Sequence, residues 1–253
     1  MNVTFLGTGT SHGVPMIGCD CPVCRSDDPR DKRTRSSVLV ESDGVTLLID
    51  TTPELRIQAL REGVRHVDAV LFTHAHADHV FGLDDIRRFN DLSGQSMPCY
   101  GNAETLATIR QAFEYVFVQT QTGGGKPSLD LMPVEEGEFR VKGVAVQPVK
   151  LMHGKLHILG YRIGGFAYLT DVSRIPEQSM TLLADLDVLV IGVIRHQPHE
   201  THFSLPEGLE TVEKLQPKRA FFTHIAHKLG HEETNAALPP HIRLAYDGLH
   251  ITL

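Results

Sequence analysis

No apolar stretch of this chain is long enough to cross a bilayer. The longest runs from Val188 to Ile194, against the roughly 18 residues that a span needs. The sequence opens Met1-Asn2-Val3-Thr4-Phe5-Leu6-Gly7, without a basic leader or an apolar core of signal-peptide length. A cytoplasmic protein with no membrane partner is expected. Positive charge is scarce as well: 24 Lys and Arg face 31 Asp and Glu, a net charge of −7. Nucleic acid is held by clustered Lys and Arg, so it is not the expected partner. Only four cysteines occur among the 253 residues, and tryptophan is absent. At 41% hydrophobic and 22% charged, the composition excludes a disordered, collagen-like or disulfide-knotted chain. What the chain has in excess is histidine, 15 residues. Histidine is the commonest side-chain metal ligand and the usual proton shuttle, so the bias points to metal or acid–base chemistry.

Short β runs recur: Val3–Leu6, Ser37–Glu41, Val45–Ile49, Ala69–Thr73, Val144–Val149, Leu156–Ile163, Phe166–Thr170, Val188–Ile191, Ala220–Thr223 and His250–Leu253. A Ser-Asp-Gly turn at 42–44 joins the second and third as a hairpin. Helical patterns fall between them at Pro53–Glu62, Asp84–Leu92, Ala103–Phe113, Pro176–Leu183 and Pro206–Leu215, three of them opened by a proline suited to a first helical position. Thr120–Ser128 reads as a flexible loop, not a linker, because β signal resumes after it. The expectation is one α/β domain over 1–253 with two sheets.

The sharpest segment is Ala69-Val-Leu-Phe-Thr-His74-Ala-His76-Ala-Asp78-His79. An apolar strand runs into a loop with four candidate ligands. In extended chain, residues two apart point the same way, so His74 and His76 can share one metal. Asp78 and His79 can face a second as the chain turns. Small Ala75 and Ala77 let the backbone bend close to the ions. Further candidates end later strands: His153 after Val144–Val149, Asp171 after Phe166–Thr170, and His224 after Ala220–Thr223. A second cluster, Gly18-Cys19-Asp20-Cys21-Pro22-Val23-Cys24, fits a tetrahedral zinc that lacks one ligand. Cys99, far from the cluster, reads as a small buried hydrophobe.

The His-x-His-x-Asp-His segment resembles the signature of the metallo-β-lactamase superfamily. That resemblance implies an αββα four-layer sandwich and two divalent ions, Zn or Mn. It implies that His74, His76 and His153 hold one ion, that Asp78, His79 and His224 hold the other, and that Asp171 bridges them. Gly13-Val14-Pro15, the Cys-x-Cys-x-x-Cys loop and Thr223-His224-Ile225-Ala226-His227 are similar to the cyclic-phosphate phosphodiesterase branch of that superfamily, the PhnP type. The branch implies one structural zinc on Cys19, Cys21, Cys24 and His227, with His12 and His231 as rival fourth ligands. It also implies a homodimer and a small phosphodiester substrate such as a phosphoribosyl 1,2-cyclic phosphate.

Two such ions make a hydroxide at neutral pH and clamp the oxygens of an in-line displacement, so no Ser or Cys nucleophile is required. The leaving alkoxide then needs a proton. His196, His199 and His202 are candidates, and the setting of His202, ahead of a Leu-Pro helix start, resembles that of the family's general acid. His202 and Asp78 are therefore assigned to catalysis. Gly7-Thr-Gly-Thr-Ser-His12 departs from the P-loop spacing and is read as a tight turn beneath the metals. Asp84-Asp85 is read as an acceptor for a ligating imidazole or as a helix cap. Lys155 and Arg162 could screen a phosphate. Competing readings are a transfer-RNA 3′-processing nuclease, an ester, thioester or lactone hydrolase, and a non-catalytic accessory protein of cofactor biosynthesis. The first lacks a long basic arm here. The second does not call for an acid histidine or a cysteine staple. The third would not need the complete ligand set.

Overall fold

The computed structural model describes residues 1–119 and 125–253; part of the loop expected at Thr120–Ser128 lies outside them. The strands are β1 (Asn2–Gly7), β2 (Ser37–Ser42), β3 (Val45–Ile49), β4 (Ala69–Leu71), β5 (Met97–Gly101), β6 (Leu129–Pro133), β7 (Phe139–Val141), β8 (Val144–His153), β9 (Leu156–Ile163), β10 (Phe166–Leu169), β11 (Val188–Arg195), β12 (Phe203–Ser204), β13 (Arg219–Thr223), β14 (Ile242–Leu244) and β15 (His250–Thr252). The α-helices are α1 (Pro22–Arg25), α2 (Leu55–Arg61), α3 (Ala77–Val80), α4 (Arg87–Ser93), α5 (Ala103–Ala112), α6 (Glu114–Phe117), α7 (Glu177–Met180), α8 (Leu205–Leu215) and α9 (His231–Ala237).

One sheet runs β15-β1-β2-β3-β4-β5-β6 and the other β14-β13-β11-β10-β9-β8-β7, with β12 beside β11. Strands from the two ends of the chain, β1 and β15, pair antiparallel in the first sheet. The two sheets face each other across one apolar layer that includes Phe5, Val38, Leu47 and Leu71 from the first and Tyr161, Phe166, Tyr168 and Val190 from the second. A second layer packs α8, through Val212, on the outer face of the second sheet. A third packs α2, α4 and α5, through Leu55, Phe89, Leu106 and Ile109, on the outer face of the first. This is the αββα sandwich that the sequence led us to expect.

The pairing explains the strand sequences. β4, β10 and β11 read as unbroken apolar runs because they lie in parallel pairs (β3·β4, β10·β11, β11·β13) with both faces covered. The register sets Ile49 beside Leu71, Leu169 beside Ile191, and Gly192 beside Thr223. The carboxyl ends of neighbouring strands therefore finish side by side, where open α/β sheets place their ligand sites. The helix starts differ in detail from expectation. Pro206 sits one place inside α8, whose N-cap is Ser204 in a capping box with Glu207, and Pro176 is itself the N-cap of α7. The expected helix Asp84–Leu92 is a 3-10 turn, Leu83–Ile86, followed by α4.

Candidate metal centre

Four strand ends deliver the candidate ligands to one place. β4 runs through Thr73 into His74, His76 and the single turn α3, which carries Asp78 and His79. β8 ends on His153, β10 leads to Asp171, and β13 leads to His224. The ligating atoms of His74, His76 and His153 all lie within 4.8 Å of one another, as do those of Asp78, His79, Asp171 and His224. Asp171 lies between the two groups: its Oδ1 is 3.3 Å from His79 Nε2 and 3.1 Å from His224 Nδ1, and its Oδ2 is 3.9 Å from His74 Nε2.

Hydrogen bonds on the far side of each ring fix which nitrogen faces inward. His153 Nδ1 donates to the Thr201 carbonyl at 2.7 Å. His79 Nδ1 donates to Asp50 Oδ2 at 2.7 Å. His74 Nδ1 donates to Thr73 Oγ1 at 3.0 Å, and that hydroxyl donates onward to Asp50 Oδ2 at 2.8 Å. Such carboxylate or carbonyl partners set the tautomer and raise the basicity of a metal-bound imidazole. Asp50, fully buried at the end of β3, thus supports two candidate ligands. Sequence reasoning missed it. Its signal is an acid directly after a buried strand, the same arrangement that marked Asp171. Asp84 and Asp85 do not take this part. Asp84 accepts from the Tyr115 hydroxyl at 2.5 Å and pairs with Arg87, and the turn they occupy has no side-chain cap bond.

Asp50, Asp171 and His224 all have left-handed backbones, with φ of 64°, 53° and 57°. Non-glycine residues held there store about 1–3 kcal/mol each, and such residues gather at functional sites. The packing allows little relief. A Cβ on Gly192, beside Asp171, would lie 2.9 Å from the Asp171 amide nitrogen.

The electrostatics match a cation site. Burial opposes ionisation of Asp171 and Asp78, but His224 and His79 for the former, and His79 for the latter, outweigh it and hold both carboxyls well down. Burial likewise opposes charging of His79, yet Asp171, Asp50 and Asp78 together push its pKa well up. Burial, followed by the neighbouring imidazoles, pushes His74 and His76 down; His224 is pushed down by burial, against the pull of Asp171. Neutral His74, His76 and His224 beside ionised carboxylates are the donor state that divalent metals require, and a cation would have to displace the Nε2 proton that the carboxylates favour on His79. His79 Nε2, His224 Nδ1 and His202 Nδ1 are buried without a hydrogen-bond partner. A buried polar atom without a partner is destabilising by about 1–3 kcal/mol; a cation shared with Asp171 would satisfy His79 and His224, and His202 is left facing the same space. The donor set therefore fits a pair of divalent ions.

His202 lies against this cluster, its ring 4.6 Å from that of His153 and 4.9 Å from that of His224, with Nδ1 3.9 Å from Asp171 Oδ2. Burial first, then His224, pushes its pKa down to about 3. His199 is set 5.1 Å from His202, but its Nδ1 accepts from the Thr201 amide. His196 is exposed. Arg162 bonds to the carbonyls of Gly164 and Leu182, and Lys155 is exposed. The loop after β1 packs tightly: a Cβ on Gly7 would lie 1.9 Å from the Arg35 carbonyl, and Thr10 Oγ1 is 3.3 Å from His224 Nε2.

The second cluster also assembles. Cys19, Cys21, Cys24 and His227 bring their donor atoms within 4.8 Å of one another, with Cys19 and Cys21 sulfurs 3.2 and 3.3 Å from His227 Nδ1. The Cys24 amide donates to the Cys21 sulfur and, with His227, outweighs burial to bring its pKa down to about 6; burial pushes Cys24 up to about 11. His231, one of the rivals, points elsewhere, with its Nδ1 facing Arg33. Cys99 is fully buried.

A structure of a diphosphatase from the PhnP family is 46% identical and covers 99% of this chain and 96% of its own, with a TM-score of 0.93. A Zn-bound structure of PqqB from Methylobacterium extorquens shares the fold at 21% identity and a TM-score of 0.80, with both chains fully covered. An octanoyltransferase of Porphyromonas gingivalis is 40% identical across 98% of this chain but only 51% of that protein; the chain spans about half the length, or less, of the curated relatives it matches. The profile of the beta-lactamase superfamily domain matches residues 46–225, a stretch that holds the whole dinuclear ligand set. The chain belongs to this beta-lactamase superfamily.

Proposed function

We propose that the protein is a dinuclear phosphodiesterase acting on a small, cyclic phosphodiester of the phosphoribosyl 1,2-cyclic phosphate kind. The observation that carries this reading is the trio of unpartnered buried nitrogens, on His79, His202 and His224, gathered around Asp171. His74, His76 and His153 would hold one divalent ion, and Asp78, His79 and His224 the other, with Asp171 shared. Such a pair supplies a nucleophile from water at neutral pH and neutralises charge on the phosphoryl oxygens. The chain's own part is orientation and proton supply. Asp50 and the Thr201 carbonyl lock the ligand rings. His202 is placed to protonate the departing oxygen. Burial keeps it neutral in the bare protein, and an anionic phosphoryl group beside it is what favours its charged form. Cys19, Cys21, Cys24 and His227 would hold a structural zinc that ties the N-terminal loop to the segment after His224. Three free thiols in one loop suit a reducing cytoplasm, and among the described residues no helix is long and apolar enough to cross a membrane.

A second reading, hydrolysis of a diphosphate linkage, is favoured by the 46% identical diphosphatase. It asks the same of the site, since both reactions displace an oxygen from phosphorus. The octanoyl transfer named for the Porphyromonas gingivalis relative belongs to a protein about twice as long and is not carried over. The test is hydrolysis of bis(p-nitrophenyl) phosphate, abolished by chelator and restored by Mn²⁺ or Zn²⁺, followed by a panel of cyclic, linear and diphosphate substrates. A preparation with full metal that turns over none of them overturns the reading.

A further inference from the structure

The side of the centre formed by α3 carries a feature that metal binding does not use. Asp78 and Phe81 are three apart, with Phe81 capping the one-turn helix and still in the helical region. Residues at that spacing are neighbours on one helix face, which places Phe81 on the Asp78 side of the turn. The chain then continues to Asp84, which receives the Tyr115 hydroxyl at 2.5 Å. Phe81 and Tyr115 are 56% and 39% exposed, and they are the aromatic residues among the exposed large apolar side chains of the described residues. Phe81 is two residues beyond His79, and the bond to Asp84 fixes Tyr115 to the turn that follows Phe81.

The Phe81 ring is exposed yet held. The buried Phe113 meets it edge-on, with centroids 5.8 Å apart and planes at 89°. Phe113 precedes α6, and the carbonyls of Tyr115 in α6 and of Val118 just after it both accept from Lys126 Nζ. A ring fixed by an edge contact leaves a face free, and an exposed apolar face beside a buried charged centre is suited to stacking a flat ring.

We propose that Phe81, braced by Phe113 and flanked by Tyr115, is a specificity-determining platform that stacks a planar aromatic group, a nucleobase or aryl ring, carried by the non-reacting part of the phosphorylated substrate. The proposal rests on the function proposed above for the reacting bond. It goes beyond that reading in the substrate itself: a small phosphodiester with a flat ring a short linker away from phosphorus, in place of a phosphoribosyl cyclic phosphate that has none.

The test compares two five-membered cyclic phosphates, guanosine 2′,3′-cyclic phosphate and glycerol 1,2-cyclic phosphate, on the metal-loaded protein. Base stacking on an aromatic side chain is commonly worth a factor of about ten or more on removal. Wild type should show a KM at least about tenfold lower for the guanosine compound. Phe81→Ala should shrink the ratio of the two KM values about tenfold, and Phe81→Trp should restore it. Equilibrium binding of guanosine 5′-monophosphate against ribose 5-phosphate gives a readout without turnover, and Phe81→Ala should erase its preference for the base. If neither cyclic phosphate is hydrolysed while the binding preference stands, the function reading fails and the platform survives. If wild type shows no preference in either measurement, or Phe81→Ala leaves both ratios unchanged, the platform is wrong.

Discussion

Asp50→Asn isolates the support beneath the ligands from the ligands themselves. Asparagine tolerates a left-handed backbone, so the φ of 64° at this position is kept without added strain. The hydrogen bonds are not kept. Oδ1 accepts from the Thr73 amide, and Oδ2 accepts from both the Thr73 hydroxyl and His79 Nδ1, at 2.7–2.8 Å. An amide can hold the Thr73 N–H only by turning its NH2 toward the other two donors. Relief comes if His79 moves its proton to Nε2, the nitrogen that faces Asp78 and Asp171, where it blocks ligation. Losses of this kind typically weaken metal affinity about 10- to 100-fold, or about 1.4–2.7 kcal/mol. We expect a competition titration with Zn²⁺ or Mn²⁺ to show that loss at the site served by His79, with the cysteine site unaffected. Wild-type affinity at all sites, in a variant folded as judged by circular dichroism, would refute the assignment of Asp50 as the anchor of His79.

Three further outcomes are expected. His202→Ala should retain both active-site metals and lower turnover roughly 10²- to 10⁴-fold, least for substrates with acidic leaving groups; loss of a metal in elemental analysis would make His202 a ligand instead, a position its nearness to His153 and Asp171 allows. Cys21→Ser should remove one zinc per chain while leaving the melting of the sandwich close to wild type; unchanged zinc content would show that the cysteines are idle. The buried His231 has its pKa pushed down to about 4, first by burial and then by Arg33. Below its ordinary value near 6.5 the unfolded chain takes up the proton first, so this contribution is complete above pH 6.5 and is lost as pH falls toward 4. Between pH 7 and 5 wild type should lose about 2 kcal/mol more unfolding free energy than His231→Gln, measured by urea denaturation; equal losses would show that His231 titrates normally.

The ligands were legible because each closes or follows a strand whose apolar run is itself legible. His74 to His79 is dense enough to stand out, and Asp171 and His224 come directly after buried strands. Asp50 follows β3 in the same way but stands alone among threonines, and nothing in the sequence links it to His79, 29 positions later. The strands that escaped notice share a different cause. Met97–Gly101 and Leu129–Pro133 each contain a proline, and Phe139–Val141, Phe203–Ser204 and Ile242–Leu244 have only two or three residues. Their neighbours in the sheet, more than their own composition, make them strands. α3 was hidden because a single turn is too short to show a 3.6-residue period.

The N-terminal loop that carries the cysteines has a second tether, and this bears on what its proposed zinc does. Val14 and Arg33 exchange backbone hydrogen bonds, and the buried Arg33 donates to Thr8 Oγ1 and the Ala245 carbonyl and faces His231 Nδ1. Burial pushes its pKa down only to about 10, so it stays charged and anchored at neutral pH. Asp31 meanwhile accepts the His231 amide. The loop is thus fixed at its base without any metal, and the sulfur cluster acts on its tip. That tip reaches His227, three residues past His224, whose backbone is left-handed and whose ring Nε2 is 3.3 Å from Thr10 Oγ1. A cation there would restrain the segment that sets the His224 ring, with global folding left to Arg33. Cys21→Ser should therefore loosen hydrogen-exchange protection around 223–229 while the amides of β1 and β2 keep theirs. Equal loosening of both would mean that the zinc holds the sandwich as a whole, and that the Arg33 anchor is too weak to do so alone.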